Sequence, residues 1–164
     1  MNFAIVRYIL GWILKFEAGF LLLPAIVGLI YGEMTDTLAY VGTALLCLAA
    51  ALLLSLKKPD HFQLYTREGF VSVALGWILL SMFGALPFVF TGDIPNYIDA
   101  LFETISGFTT TGASILSDVE ALSRANIFWR SFTHWIGGMG VFVFIMAILP
   151  LMGGSTMNLM RAES

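Results

Sequence analysis

Residues 108–114 read Phe-Thr-Thr-Thr-Gly-Ala-Ser, placing three threonines and a glycine in direct succession. Three β-branched residues that compete for backbone hydrogen bonds continue a helix poorly. In an extended segment, the carbonyls and hydroxyls of Thr109, Thr110 and Thr111 form a ladder of neutral oxygens. Gly112 supplies freedom for positive φ, so that a carbonyl can turn toward the same axis as its neighbours. Closely spaced neutral oxygens can replace the hydration shell of a weakly hydrated cation such as K⁺. The candidate coordinating set is therefore the backbone and hydroxyl oxygens of Thr109, Thr110, Thr111 and Gly112, with Ala113 and Ser114 extending it. On residue types alone, the same run also fits an ordinary loop of small polar residues.

Few other side chains offer chemistry. Glu103 is either a carboxylate behind this loop, bonded to backbone N–H groups or to Arg130, or an outer carboxylate that raises local cation concentration. Arg130 either snorkels to the surface or pairs with a carboxylate of the loop segment. His134 fits a hydrogen-bonded structural role better than proton transfer. Glu103, Ser131 and His134 form no recognisable nucleophile or metal motif, so an enzyme is not expected. Cys47, the only cysteine, forms neither an internal disulfide nor a multi-cysteine metal site and reads as a small packing residue. Within the first apolar run, Lys15 and Glu17 lie at i and i+2 and do not face each other; Glu17 needs a partner that the sequence does not name.

The elements that must position the loop follow from the apolar pattern. Hydrophobic residues make up 59% and charged residues 12% of the chain, with mean hydropathy +0.88. Such a chain has too much apolar surface to hide in water, and the lipid bilayer is its expected solvent. Basic residues are few and scattered in short clusters, which argues against nucleic-acid binding. Four runs have the roughly 20-residue length of a spanning helix: about Tyr8 to Tyr31, Leu38 to Leu56, Phe70 to Phe90 and Ile127 to Leu151. Pro24, Pro87 and Pro150 fall inside or at the ends of these runs as kinks or stops. An expected all-α membrane fold follows, and the interrupted first run is retained rather than cleaved as a signal.

Between the third and fourth runs, Asn96 can cap a short helix over Tyr97 to Ser106, with Asp99 in its first turn. Ile98, Leu101, Phe102 and Ile105 give it one apolar face, and Gly107 is expected to end it. About ten residues at ~1.5 Å each cross only half of a ~30 Å hydrocarbon core, as a re-entrant half-helix would. Its partly negative C-terminal end then points toward the threonine run and favours a cation there. Arg7, the Lys57–Arg67 segment and Arg161 are expected on the cytoplasmic side, which leaves both termini inside and the acidic third segment outside. Trp129 and Trp135, near the outer end of the last run, are compatible with an interfacial aromatic belt.

Phe102-Glu-Thr-Ile-Ser-Gly-Phe-Thr-Thr-Thr-Gly-Ala-Ser114 resembles the first filter loop of the Trk/Ktr/HKT superfamily of potassium transporters. Phe128-Trp-Arg-Ser-Phe-Thr-His-Trp-Ile-Gly-Gly-Met-Gly140 resembles the pore-lining helix that follows it in the Trk (TrkH-like) branch. Thr66-Arg-Glu-Gly-Phe70 and Met160-Arg-Ala-Glu163 are also similar to that branch. The resemblance implies an N-terminal helix pair (residues 1–64), a first potassium-channel-like pore repeat (65–155) and a cytoplasmic tail (156–164). It implies K⁺ bound by Thr109–Gly112, with Glu103, Arg130, Gly137, Gly138 and Gly140 supporting the loop. No cofactor is implied; K⁺ is the transported ion, moved across a bacterial inner membrane with or without a coupled H⁺ or Na⁺. The implied partners are three further pore repeats, a second copy in a homodimer, and a TrkA-like cytoplasmic nucleotide-binding regulatory subunit. Relative to Thr-Val-Gly-Tyr-Gly filters, Ser114 replaces the second glycine, which implies looser discrimination against Na⁺. With one repeat of four, the chain is expected to be an N-terminal portion that conducts nothing alone. A homotetramer completing one filter and a four-span assembly protein without conduction are the alternatives.

Overall fold

In the computed structural model of the chain, the backbone is described for residues 1–60 and 64–162. Side chains are described over the same ranges, except those of Phe144, Ile145 and residues 147–162. The described residues form five α-helices and one 3-10 turn, with no strand: α1 Phe3–Ile30, α2 Met34–Leu54, α3 Thr66–Thr91, α4 Tyr97–Phe108, the 3-10 turn Val119–Ala121, and α5 Arg124–Ala162.

The helices α1, α2 and α3 are long and apolar enough to cross a bilayer. The fourth expected span lies on α5, which runs for 39 residues, about 58 Å at ~1.5 Å per residue. It thus continues past Leu151, where the span was expected to stop, and most side chains of that half lie outside the described residues. Pro24 and Pro87 sit inside α1 and α3 without ending them; Pro150 and Arg161 fall among the side chains not described.

The most extensive packing joins α1 to α2, and α1 also lies along α3, with α4 held between α3 and α5. Small residues let these helices approach. A side chain at Gly11 would meet Ser55 Cβ at 2.9 Å and the Ala51 carbonyl at 3.0 Å. Close approach through small residues is the usual basis of helix association in lipid. The common core contains Leu14, Leu21, Tyr40, Cys47, Phe88, Phe108 and Trp129.

One end of the bundle is tied by polar bonds around the start of α5. The Glu33 carboxylate accepts the Arg124 and Ala125 N–H groups (3.0 and 3.2 Å), and Ser123 Oγ accepts the Asn126 N–H (3.3 Å). Three of the N–H groups that a helix start leaves unpaired are thus satisfied. Asn126, fully buried, accepts a hydrogen bond from Tyr40 Oη (2.6 Å) and donates to Thr91 Oγ1 (2.8 Å) and Asp93 Oδ2 (2.7 Å). This one amide joins α2, the end of α3, the loop after it and α5.

Candidate cation-coordinating loop

The half-helix α4 begins as expected. Asn96 accepts the Ile98 N–H at 2.9 Å, and Asp99 lies in the first turn. It ends later than expected, at Phe108 rather than Ser106. The reason is that Gly107 does not cap the helix. It sits inside it, packed so closely on α5 that an added Cβ would overlap Thr133 Oγ1.

The cap is formed by the threonines. Thr111 N–H reaches back to the Ser106 carbonyl (2.9 Å) and Thr110 N–H to the Gly107 carbonyl (3.0 Å), with Thr110 itself left-handed at φ +56°. This is a Schellman cap, whose left-handed position normally carries glycine. A β-branched residue held there stores roughly 1–3 kcal/mol of backbone strain. Two residues on, Gly112 is left-handed as well (φ +78°), the conformation that its lack of Cβ permits. The positive φ at Gly112 is as expected from the sequence, whereas the left-handed Thr110 departs from the extended run expected there.

The hydroxyls serve the turn rather than a ladder. Thr109 Oγ1 donates to the Ile105 carbonyl (2.7 Å) and lies 2.7 Å from Thr111 Oγ1, and Thr110 Oγ1 donates to the Thr109 carbonyl (2.7 Å). Ser106 Oγ fixes the Ala113 carbonyl at 2.6 Å. Among the described residues, nothing donates to the carbonyls of Thr110, Thr111 and Gly112. The whole segment Thr109–Ser114 is exposed. The arrangement therefore offers unpartnered neutral carbonyls beside the C-terminal, partly negative end of a half-helix, which suits a cation.

Glu103 holds the far side of the loop. Its side chain is 1% exposed, and its Oε2 pairs with Arg130 Nε of α5 at 3.2 Å. Its Oε1 accepts from Ser114 Oγ and from the Ile115 N–H (2.8 Å). Of the two readings of Glu103, the geometry is that of the buried, bonded carboxylate. Arg130 pairs with it rather than only snorkelling. His134 Nδ1 lies 2.9 Å from the Arg130 carbonyl, which also accepts from Thr133 Oγ1 (2.6 Å); His134 is engaged with its own helix.

The glycines of α5 divide. An added Cβ at Gly137 would overlap the Phe108 carbonyl and stand 3.0 Å from Phe108 Cα, so only glycine lets α5 touch the base of the loop. A Cβ added at Gly140 would stand 2.8 Å from Trp77 Cη2, whereas one at Gly138 would meet nothing within 4 Å. Phe108, buried under the loop, packs edge-on to Trp129 (centroids 6.4 Å) and against Trp77 (5.9 Å). Trp129, whose position is compatible with an interfacial belt, lies instead in the core. It is fully buried, its Nε1–H bonded to the Gly84 carbonyl at 2.9 Å. Trp135, 56% exposed, remains on the outside.

Two features were not anticipated from the sequence. The Ser106 clamp and the strained Thr110 are both inside the motif singled out, but no local rule predicts a left-handed threonine. Glu17 is buried in the membrane-spanning part, its Oε2 accepting from Cys47 Sγ at 3.7 Å while Oε1 has no partner among the described residues. Lys15 turns away from it, its Nζ 4.2 Å over the Trp12 ring.

The threonine turn thus sits at the C-terminal end of a half-helix, against a closely packed following helix. Comparison with known proteins gives the family. Residues 37–164 match the model of the TrkH cation transport protein family, and the chain belongs to that family. It is 39% identical over 166 residues to the Trk system potassium uptake protein TrkH of Escherichia coli and 35% identical over 161 residues to TrkG of the same organism. These alignments take in 99% and 97% of this chain, but only 34% and 33% of the relatives. The crystal structure of the potassium transporter TrkH from Vibrio parahaemolyticus superposes with a TM-score of 0.84 at 35% identity, over 93% of this chain and 33% of that one. The chain thus spans about a third of the length of the relatives that it matches.

Proposed function

We propose that this chain forms the first of four pore repeats of a Trk-type potassium-uptake transporter of a bacterial inner membrane, preceded by its N-terminal helix pair. The observation that carries the proposal is the turn at Thr110–Gly112. Its free carbonyls sit at the negative end of α4, braced by Ser106 on one side and the Glu103–Arg130 pair on the other. In this reading K⁺ sheds water onto the carbonyls of Thr110, Thr111 and Gly112 and onto those of three equivalent turns. It then passes along α5. The first 64 residues anchor the repeat, residues 65–155 form it, and the remainder leads to the next unit. The acidic segment that carries the loop faces outward and the ends of the chain face the cytoplasm. The assembled transporter is a homodimer served by a cytoplasmic nucleotide-binding subunit, as the relationship to the Trk systems suggests.

The test is a graft of this chain in place of the matching third of the Escherichia coli TrkH, expressed in cells lacking their own K⁺ uptake. Growth at low K⁺ and Rb⁺ uptake are expected, and Gly112→Ser in the graft should raise Na⁺ entry relative to Rb⁺. A graft that inserts and folds but restores no uptake would favour a non-conducting assembly role. An ion preference unmoved by Gly112→Ser would refute the assignment of the filter.

A further inference from the structure

Charge is divided between the two ends of the helix bundle. Where α1 and α3 begin and α2 ends, the described residues carry Arg7, Lys57, Lys58 and Arg67 against Asp60 and Glu68. Glu68 is buried, with one oxygen accepting the Asn2 N–H at 3.2 Å. At that end a groove of about 380 Å³ runs between the start of α1 and the end of α2, lined by Phe3, Ala4, Val6, Arg7, Leu10 and Leu54. Among the described residues, Arg7 is its one charged lining residue. Its Nη2 donates to the Lys57 carbonyl at 3.4 Å, but its Nε is shielded from solvent and has no acceptor among the described residues. Lys57 and Lys58, both exposed, follow the end of α2 in the chain.

A desolvated, unpaired guanidinium N–H is unfavourable until an acceptor arrives, and a phosphate matches its planar fork. The groove leading from it is apolar and flanked by exposed hydrocarbon, with Phe3 71%, Leu53 69% and Leu56 74% exposed. That hydrocarbon matches acyl chains, and the charge of the groove is complementary to an anionic head group. Basic pockets between spanning helices near the membrane surface bind such head groups.

We propose that this groove binds one anionic phospholipid, its phosphate on Arg7 with Lys57 and Lys58 close by, and an acyl chain along Val6, Leu10 and Leu54. The site belongs to the N-terminal helix pair and stands whether or not the loop at Thr110–Gly112 binds K⁺.

Native mass spectrometry of the full-length protein in mild detergent tests it, with phosphatidylglycerol and phosphatidylcholine as probes. One retained phosphatidylglycerol per copy of the chain is expected, preferred over phosphatidylcholine by about tenfold. The double variant Arg7→Gln/Lys57→Gln should abolish that preference. Leu54→Trp, which fills the groove and leaves every charge in place, should lower retention of both lipids. Lys15→Gln, which removes a cation outside the groove, should change neither. Equal retention of the two lipids by the unaltered protein would overturn the proposal. So would a phosphatidylglycerol preference that survives Arg7→Gln/Lys57→Gln, or competition by glycerol phosphate without acyl chains.

Discussion

Replacing Glu103 by glutamine tests the brace behind the loop. The glutamine keeps the shape and one acceptor, so the Ile115 N–H, now at 2.8 Å from Oε1, stays bonded. What is lost is the charge: the ion pair with Arg130 at 3.2 Å and the charge-assisted character of the bonds from Ser114 and Ile115. The new amide N–H₂ must also face one of the existing donors. Hydrogen bonds to a charged group contribute about 1.5–3 kcal/mol each, against about 1 for neutral ones. The Arg130 side chain is 18% exposed, and partial rehydration of its guanidinium places the expected loss near 2–3 kcal/mol. The reverse change, Arg130→Gln, strands a carboxylate that is 1% exposed and should cost more, about 3–5 kcal/mol. The double variant should be less damaged than the sum of the singles, with a coupling of about 1.5–3 kcal/mol. Unfolding in detergent, followed by tryptophan fluorescence, reads these differences, and a loss of 3 kcal/mol corresponds to a fall in Tm of about 6–12 °C for a chain of this size. Single variants within about 0.5 kcal/mol of the parent, or strictly additive effects, would refute the brace.

Two further outcomes follow from packing and hydrogen bonding. Gly137→Ala sets a methyl group against the Phe108 carbonyl, where backbone has to move, and should cost about 3 kcal/mol or more by the same unfolding measurement. Gly138→Ala, one residue on and facing open space, should be neutral or stabilising by up to about 1 kcal/mol. Asn126→Ala removes three side-chain bonds, one buried and two part-buried, and strands Tyr40 Oη. A loss of about 3 kcal/mol is expected, together with faster hydrogen exchange at the start of α5.

The spans were legible because bilayer thickness dictates run length, and α1, α2 and α3 fall where the apolar runs place them. The half-helix was legible from its cap and its shortness. Which way its faces point was not. Of the apolar stripe, Leu101 packs against the core, but Ile98, Phe102 and Ile105 are 72%, 45% and 42% exposed, while Glu103, Thr104 and Ser106 are buried. In water an apolar stripe must turn inward, but in lipid it is free to face outward while polar groups seek partners inside. Periodicity locates the stripe and says nothing of its direction. Gly107 misled for a related reason: a glycine that ends a helix and one that admits a neighbouring helix look alike in sequence. The partner of Glu103 lies 27 residues away, and only the packing of α4 on α5 makes the choice between Arg130 and water. Trp129 followed the same pattern, a ring compatible with an interface that the core claimed instead.

The central claim is that the carbonyls of Thr110, Thr111 and Gly112 coordinate the transported cation. Anomalous scattering from Tl⁺ or Rb⁺ soaked into crystals of the transporter that contains this chain tests it most directly. An anomalous peak is expected within coordination distance of these three carbonyls and of their equivalents in the other repeats. An ion resolved elsewhere along the pore, with this turn facing bulk water or lipid, would contradict it.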